Sequence, residues 1–218
     1  MNAPMRILMN TGGIASTNCY VVVDDESKHA ILFDAPNDTT EVLLDEAESR
    51  GLDIVGLYLT HGHFDHIADH EVVTRRFPRA RVLIHPLDEP KLISPVSQLF
   101  PLPFVIPPRK ADGYFSDGQE LTLGALKFRV MHTPGHSPGH VAFYFHEDDL
   151  LVGGDLIIGG SVGRTDLPDS DPNALVESLR RVMALPDATR LLPGHGRPTL
   201  LKEERANNEF VRMALGLE

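Results

Sequence analysis

"THGHFDHIADH", residues 60–70, places four histidines and two aspartates in eleven positions, directly after the apolar run "IVGLYL" (54–59). Groups that prefer water do not gather at the end of a buried strand without a reason, and a metal site is one such reason. In an extended segment alternate residues point the same way, so His61 and His63 can share one ligand shell. Asp65 and His66, where the chain turns into a following helix, can face a second point nearby. Imidazole and carboxylate are borderline-to-hard ligands, suited to zinc, iron or manganese. A lone H-x-H is read as a surface loop; H-x-H-x-D-H after an apolar strand reads as half of a metal centre.

The other half appears at three more strand ends. "HTPGHSPGH" (132–140) follows "LKFRVM", "GGDLI" (153–157) follows "LLV", and "PGHGRPT" (193–199) follows "TRLL". They offer His136, Asp155 and His195 as ligands, with glycines beside each that let backbone approach closely. His136 is preferred because it lies in the turn, whereas His132 and His140 fall on flanking strands, where supporting contacts to ligands are their expected role. His29, His70, His85 and His146 read as surface or packing residues.

Around these motifs, residues 5–10, 19–24 and 30–35 read as short strands. Asp38 with Glu41 is placed to cap a helix over "TTEVLLDEAESR" (39–50), stopped by Gly51. A second helix is expected over about 66–76, then a strand at 81–85. Residues 95–109, "PVSQLFPLPFVIPPR", hold five prolines and form an apolar loop. It is either a substrate-pocket wall, with Phe100 and Phe104 as candidate contacts, or a loop packed on the core. The second half opens with strands, "QELTLG", "LKFRVMHT", "HVAFYFHED" and "DLLVGGDLII". A helix capped by Asp171 with Pro172 at its first position follows, its apolar face being Leu175, Leu179, Val182 and Met183. "TRLLPGH" is the last strand and 200–215 a closing helix. With no linker between its similar halves, the chain reads as one domain over 1–218.

The formal charge is −11, with 42% hydrophobic and 23% charged residues. That argues against a nucleic-acid partner, which needs a basic face. A chain of 218 residues can bury roughly 70% of its unfolded surface and needs no disulfide. The one cysteine, Cys19, reads as an inert buried thiol. The start "MNAPMRILMN" has no long apolar run and nothing approaches the ~20 apolar residues of a membrane span, so the expected setting is the cytoplasm.

"THGHFDH", "TPGHSPGH", "GGD" and "PGHGRPT", in this order, resemble the metallo-β-lactamase superfamily, and most closely its short glyoxalase II-like branch. The likeness runs from "TNCYVVVDD" through "FDAP" and "DGQELTLG" to "EERANNEF". It implies an α/β, four-layer αββα sandwich of two mixed sheets flanked by helices. It further implies two divalent metals, zinc foremost, one held by His61, His63 and His136. The other would be held by Asp65, His66 and His195, with Asp155 bridging. The reaction implied is hydrolysis of a thioester such as S-lactoylglutathione by a hydroxide bridging the metals and oriented by Asp65. Two carboxylates against two dications leave a positive centre, which explains how an acidic chain would attract an anionic thiol conjugate. Arg164, in "GSVGRTDLPDSD" (160–171), is a candidate contact for a substrate carboxylate; pairing with Asp166 is the structural alternative. The rival within the superfamily is a persulfide dioxygenase-like oxidoreductase with one iron on His61, His136 and Asp155. The expected assembly is a monomer or homodimer.

Overall fold

Strand after strand alternates its burial between two apolar environments, and this period of two builds the layers. In β2 (Thr17–Asp24), Val21 and Val23 face one core while Tyr20 and Val22 face another. In β10 (Leu150–Gly154), Leu150 and Val152 join the second core and Leu151 a third. Both faces of these strands are buried, so they read as continuous apolar runs.

The computed structural model describes residues 5–217; the first four residues of the start "MNAPMRILMN" and the expected domain's last residue lie outside them. The first half forms a six-stranded sheet in the order β1 (Arg6–Gly12), β2, β3 (His29–Phe33), β4 (Asp53–Tyr58), β5 (Arg81–Ile84), β6 (Gly113–Tyr114). The second half forms another, in the order β12 (Thr199–Leu200), β11 (Arg190–Pro193), β10, β9 (Val141–Phe145), β8 (Leu126–His132), β7 (Glu120–Leu123). Both sheets are mixed: β3 to β6 run parallel, as do β10 and β11, and the remaining pairs are antiparallel.

Between the sheets lies an aromatic core in which Phe33 packs on Phe143 and Phe128 on Phe145. The outer face of the first sheet is covered by α1 (Thr40–Ser49), α2 (Phe64–Ile67), α3 (His70–Arg76) and α4 (Glu89–Ile93). The outer face of the second is covered by α5 (Pro172–Val182), α6 (Leu201–Asn207) and α7 (Glu209–Leu215). Helix, sheet, sheet, helix is the αββα sandwich that the resemblance implied.

Asp171 caps α5 as expected, accepting the N–H groups of Asn173 and Ala174. Four local expectations are corrected. Asp38 does not cap α1: it sits in a left-handed turn at φ 54°, the cap position falls to Thr39, and no side chain caps it. The helix expected over 66–76 is two pieces, because Ala35 at the end of β3 takes the intervening backbone groups. Its N–H donates to the His66 carbonyl and its carbonyl accepts from Asp69 N–H, at 2.8 Å each. The closing helix also divides, at Asn208, whose side chain caps α7. "TRLLPGH" is not the last strand, since the two-residue β12 folds back on β11.

Candidate metal centre

All the predicted donors lie at one edge of the sandwich, where several strands run out. Asp34 follows β3, residues 60–66 follow β4, His136 follows β8, Asp155 follows β10 and His195 follows β11. Backbone ties between the sheets close this edge. Val141 N–H donates to the Thr60 carbonyl at 2.8 Å, Asn18 N–H to the Gly194 carbonyl at 2.7 Å, and Thr17 bridges to His195.

The side chains converge as the spacing predicted. One group of facing donor atoms comes from His61, His63 and His136, a second from His61, His66 and Asp155, and a third from Asp65, His66 and His195. His63 Nδ1 lies 2.9 Å from His136 Nε2, and Asp155 Oδ2 lies 3.5 Å from His136 Nε2 and 3.2 Å from His195 Nε2. Asp155 thus stands between the two clusters.

Three of the imidazoles are held by their far nitrogens. His66 Nδ1 contacts Asp34 Oδ2 at 2.8 Å, His61 Nδ1 contacts the Thr60 hydroxyl at 3.0 Å, and His136 Nδ1 donates to the Arg164 carbonyl at 2.9 Å. The inner Nε2 atoms of His61 and His66 and Asp155 Oδ1 are buried with no hydrogen-bond partner among the described residues. Buried polar atoms without partners are costly. A cation satisfies them together, so the donor set fits one metal on each side of Asp155.

Charge tells the same story. Burial opposes protonation of His195, yet the carboxylates of Asp155 and Asp65 outweigh it and push its pKa up to about 10. His66 is likewise raised, with Asp65, Asp155 and Asp34 overcoming burial. Burial favours the neutral form of Asp65 too, but His66 and His195 hold its carboxyl down to about 2. Beside these acids, both imidazoles favour their charged forms.

Supporting residues outside the predicted set complete the geometry. Asp34 accepts the Thr60 N–H and hydroxyl as well as His66, at 2.8 and 2.9 Å for the Thr60 groups. Thr17 donates its hydroxyl to Asp65 Oδ2 at 2.7 Å. Fully buried Asp88 accepts from Gly62 N–H, Gly139 N–H, Lys91 Nζ and the Ser137 hydroxyl. It thereby ties the first histidine loop to the second. "FDAP" at 33–36 was the one sequence signal for Asp34; for Asp88 and Thr17, outside every histidine motif, no spacing marks the role.

His140 and His132 stay out of the donor set, as expected. His140 Nε2 accepts the Asp155 N–H at 3.0 Å, its pKa driven by burial to about 3, so it holds the backbone of Asp155 in place. His132 stacks on His85 with ring centroids 4.2 Å apart. Cys19 is buried, and burial raises its thiol pKa, which makes it inert.

Beside the donors opens a cavity of about 230 Å³ bordered by Phe100 and Arg164. Phe104 is corrected: it packs against the core beneath the first sheet and does not line that cavity. Arg164 reaches the cavity, but its guanidinium is bound twice by Asp166, at 2.6 and 2.7 Å.

A family-wide sequence profile, that of the metallo-beta-lactamase superfamily, matches residues 12–195. The chain belongs to that superfamily. Hydroxyacylglutathione hydrolase GloC of Haemophilus influenzae is 32% identical over 206 residues, covering 89% of this chain and 92% of that protein. The solved structure of TTHA1623 in a di-iron-bound form superposes with a TM-score of 0.79 at 38% identity, covering 93% of this chain and 99% of that one. ETHE1 from Myxococcus xanthus gives 0.77 at 25% identity, covering 99% and 92%. Superfamily membership and this donor set together make the chain a metallo-hydrolase-like enzyme with a dinuclear type of centre. No helix among the described residues is long and apolar enough to cross a membrane.

Proposed function

We propose that the chain hydrolyses thioesters, with S-lactoylglutathione or a related thiol conjugate as the starting substrate class. The observation that carries this reading is the completeness of both donor clusters around Asp155, in a superfamily member similar to a hydroxyacylglutathione hydrolase. His61, His63 and His136 would hold one cation, Asp65, His66 and His195 the other, with Asp155 between them. Cations there lower the pKa of water and polarise a carbonyl, which is the chemistry a thioester needs.

The chain's own residues then have defined work. Asp65, fixed by the Thr17 hydroxyl through Oδ2, is placed to orient water and accept its proton. Asp34 and the Arg164 carbonyl keep His66 and His136 aimed inward. A substrate seated against the apolar loop that borders the cavity would displace water there, which strengthens the charge interactions inside.

The test is zinc-, iron- or manganese-loaded protein with S-lactoylglutathione, beside His61→Ala and Asp155→Ala. Both substitutions abolish turnover while the circular dichroism spectrum is unchanged; rates that survive them end the proposal. A second reading, a one-iron oxidoreductase of persulfides on His61, His136 and Asp155, draws on the likeness to ETHE1. One iron per chain with oxygen consumed on glutathione persulfide would favour it, whereas two cations per chain and thioester cleavage favour the first.

A further inference from the structure

The wall of the cavity beside the donors is apolar, and this bears on what can lie there. Ile14, Phe64, Val96, Leu99, Phe100 and Leu167 face it. Among the described residues, the polar side chains on it apart from the candidate metal ligands are Gln98 and Arg164. Both are partly engaged elsewhere. Gln98 gives its amide N–H to Asp169 Oδ1 at 3.2 Å, and Arg164 is clamped by Asp166. Asp169 is itself held by Lys91 at 2.6 Å, so residues 95–109 are moored to 160–171 across the mouth. Leu99 and Phe100 remain 49% and 44% exposed, apolar surface that a ligand would remove from water.

A charged or hydroxylated group pressed on these six apolar side chains loses its water and gains no partner from them. An apolar group gains at each carbon. Size adds a limit: a cavity of about 150 Å³ holds a benzene molecule, so one of about 230 Å³ takes a phenyl ring or a short alkyl chain. The cavity is open on one side, which leaves the larger, charged part of a thiol conjugate room outside the mouth.

We propose that this cavity receives the acyl half of the substrate, and that the acyl group is apolar, a chain of about four to six carbons or an aryl-acetyl group, in preference to a hydroxyacyl group. The proposal rests on the thioester reading for its reaction and on the cavity wall for its specificity. The determinants are Leu99, Phe100 and Val96 on the proline-rich loop, with Ile14 and Leu167 opposite.

The experiment uses zinc-loaded protein and thioesters of a single thiol, N-acetylcysteamine, carrying acetyl, butanoyl, hexanoyl, phenylacetyl or lactoyl groups. kcat/KM rises about three- to fourfold per added methylene up to hexanoyl, and butanoyl exceeds lactoyl by tenfold or more. Leu99→Asn, at a half-exposed loop position that folding does not depend on, lowers the hexanoyl-to-lactoyl ratio at least fivefold. Calorimetric titration of the same protein with the free acids gives a readout apart from turnover, in which hexanoate and phenylacetate bind more tightly than lactate. Lactoyl thioester cleaved as fast as butanoyl, with lactate bound as well as hexanoate, overturns the acyl assignment and leaves the thioesterase reading standing. If no thioester is cleaved yet hexanoate outbinds lactate, the reaction is wrong and the apolar specificity holds. If no thioester is cleaved and the acids bind alike, both fall.

Discussion

Asp34 Oδ2 lies 2.8 Å from Nδ1 of His66, in a pair with almost no solvent exposure. The carboxylate also accepts the N–H and hydroxyl of Thr60, so a single acid at the end of β3 fixes both the strand end before His61 and the ring of His66. Acids that hold a ligand's far nitrogen orient it and raise its basicity. Asp34→Asn keeps the shape but sets an amide N–H against one of these donors. Metal affinity should fall by about 10- to 100-fold, measured by competition with a chelator, with little change in the far-ultraviolet spectrum. Undiminished affinity would show that His66 is positioned by packing alone.

Asp88 makes a comparable tie between the two histidine loops. It is fully buried and takes hydrogen bonds from Gly62 N–H at 2.7 Å and Gly139 N–H at 2.8 Å, with Lys91 Nζ at 3.0 Å. Burial favours its neutral form, but Lys91 and the donors outweigh it and hold the carboxyl below its usual 3.8. A depressed folded pKa contributes stability that is present above 3.8 and lost as pH falls through the folded value. Asp88→Ala strands two buried N–H groups and part of an ion pair, and should cost about 3 kcal/mol in urea unfolding. It should also flatten the acid limb of the stability profile. A loss under about 1 kcal/mol, within the range of ordinary surface changes, would show that the loops hold together without this acid.

Metal uptake should release protons. Ligation needs neutral imidazole, whereas Asp155 and Asp65 overcome burial to push the His195 pKa up to about 10, and raise His66 as well. Apparent affinity therefore climbs with pH through neutrality, about tenfold per unit for each proton displaced, and levels off near the His195 pKa. Calorimetry in two buffers of different ionisation enthalpy counts these protons. Zero protons released at pH 7 would mean that the imidazoles are neutral before the metal arrives.

The donors were legible because they fall at the ends of apolar strands with glycines beside them, and the sandwich was legible only through the family resemblance that those motifs carry; "CYVVVD" and "LLVGGD" by themselves read as buried strands. Helix breaks were not legible, because they come from distant backbone: nothing within residues 66–76 shows that Ala35 will capture the carbonyl of His66 and the N–H of Asp69. Asp88 escaped notice for a similar reason. It is one of two adjacent acids in "HPLDEP", outside every histidine motif, and its four donors come from three segments that meet only after folding. Phe104 was misplaced because sequence gives the apolar character of the proline-rich loop but not which of its side chains turn inward.

Gly194 offers the sharpest test that close backbone approach, and not ligand identity alone, builds the centre. A Cβ there would lie 2.0 Å from Asp155 Oδ1 and 2.8 Å from the His66 ring. The backbone cannot retreat, since Gly194 N–H donates to the Gly154 carbonyl and its own carbonyl accepts from Asn18 N–H, at 2.7 Å each. Asp155 must therefore move, with the atom that stands between the two clusters. Gly194→Ala should fold and yet lose metal at least 100-fold, with activity falling in proportion. Gly196→Ala is the control: no atom lies within 4 Å of its Cβ, but its φ of +75° strains any side chain. It should cost about 1–2 kcal/mol of stability and leave metal binding intact. If the two variants bind metal alike, the tight fit at Gly194 has no part in holding Asp155 in place.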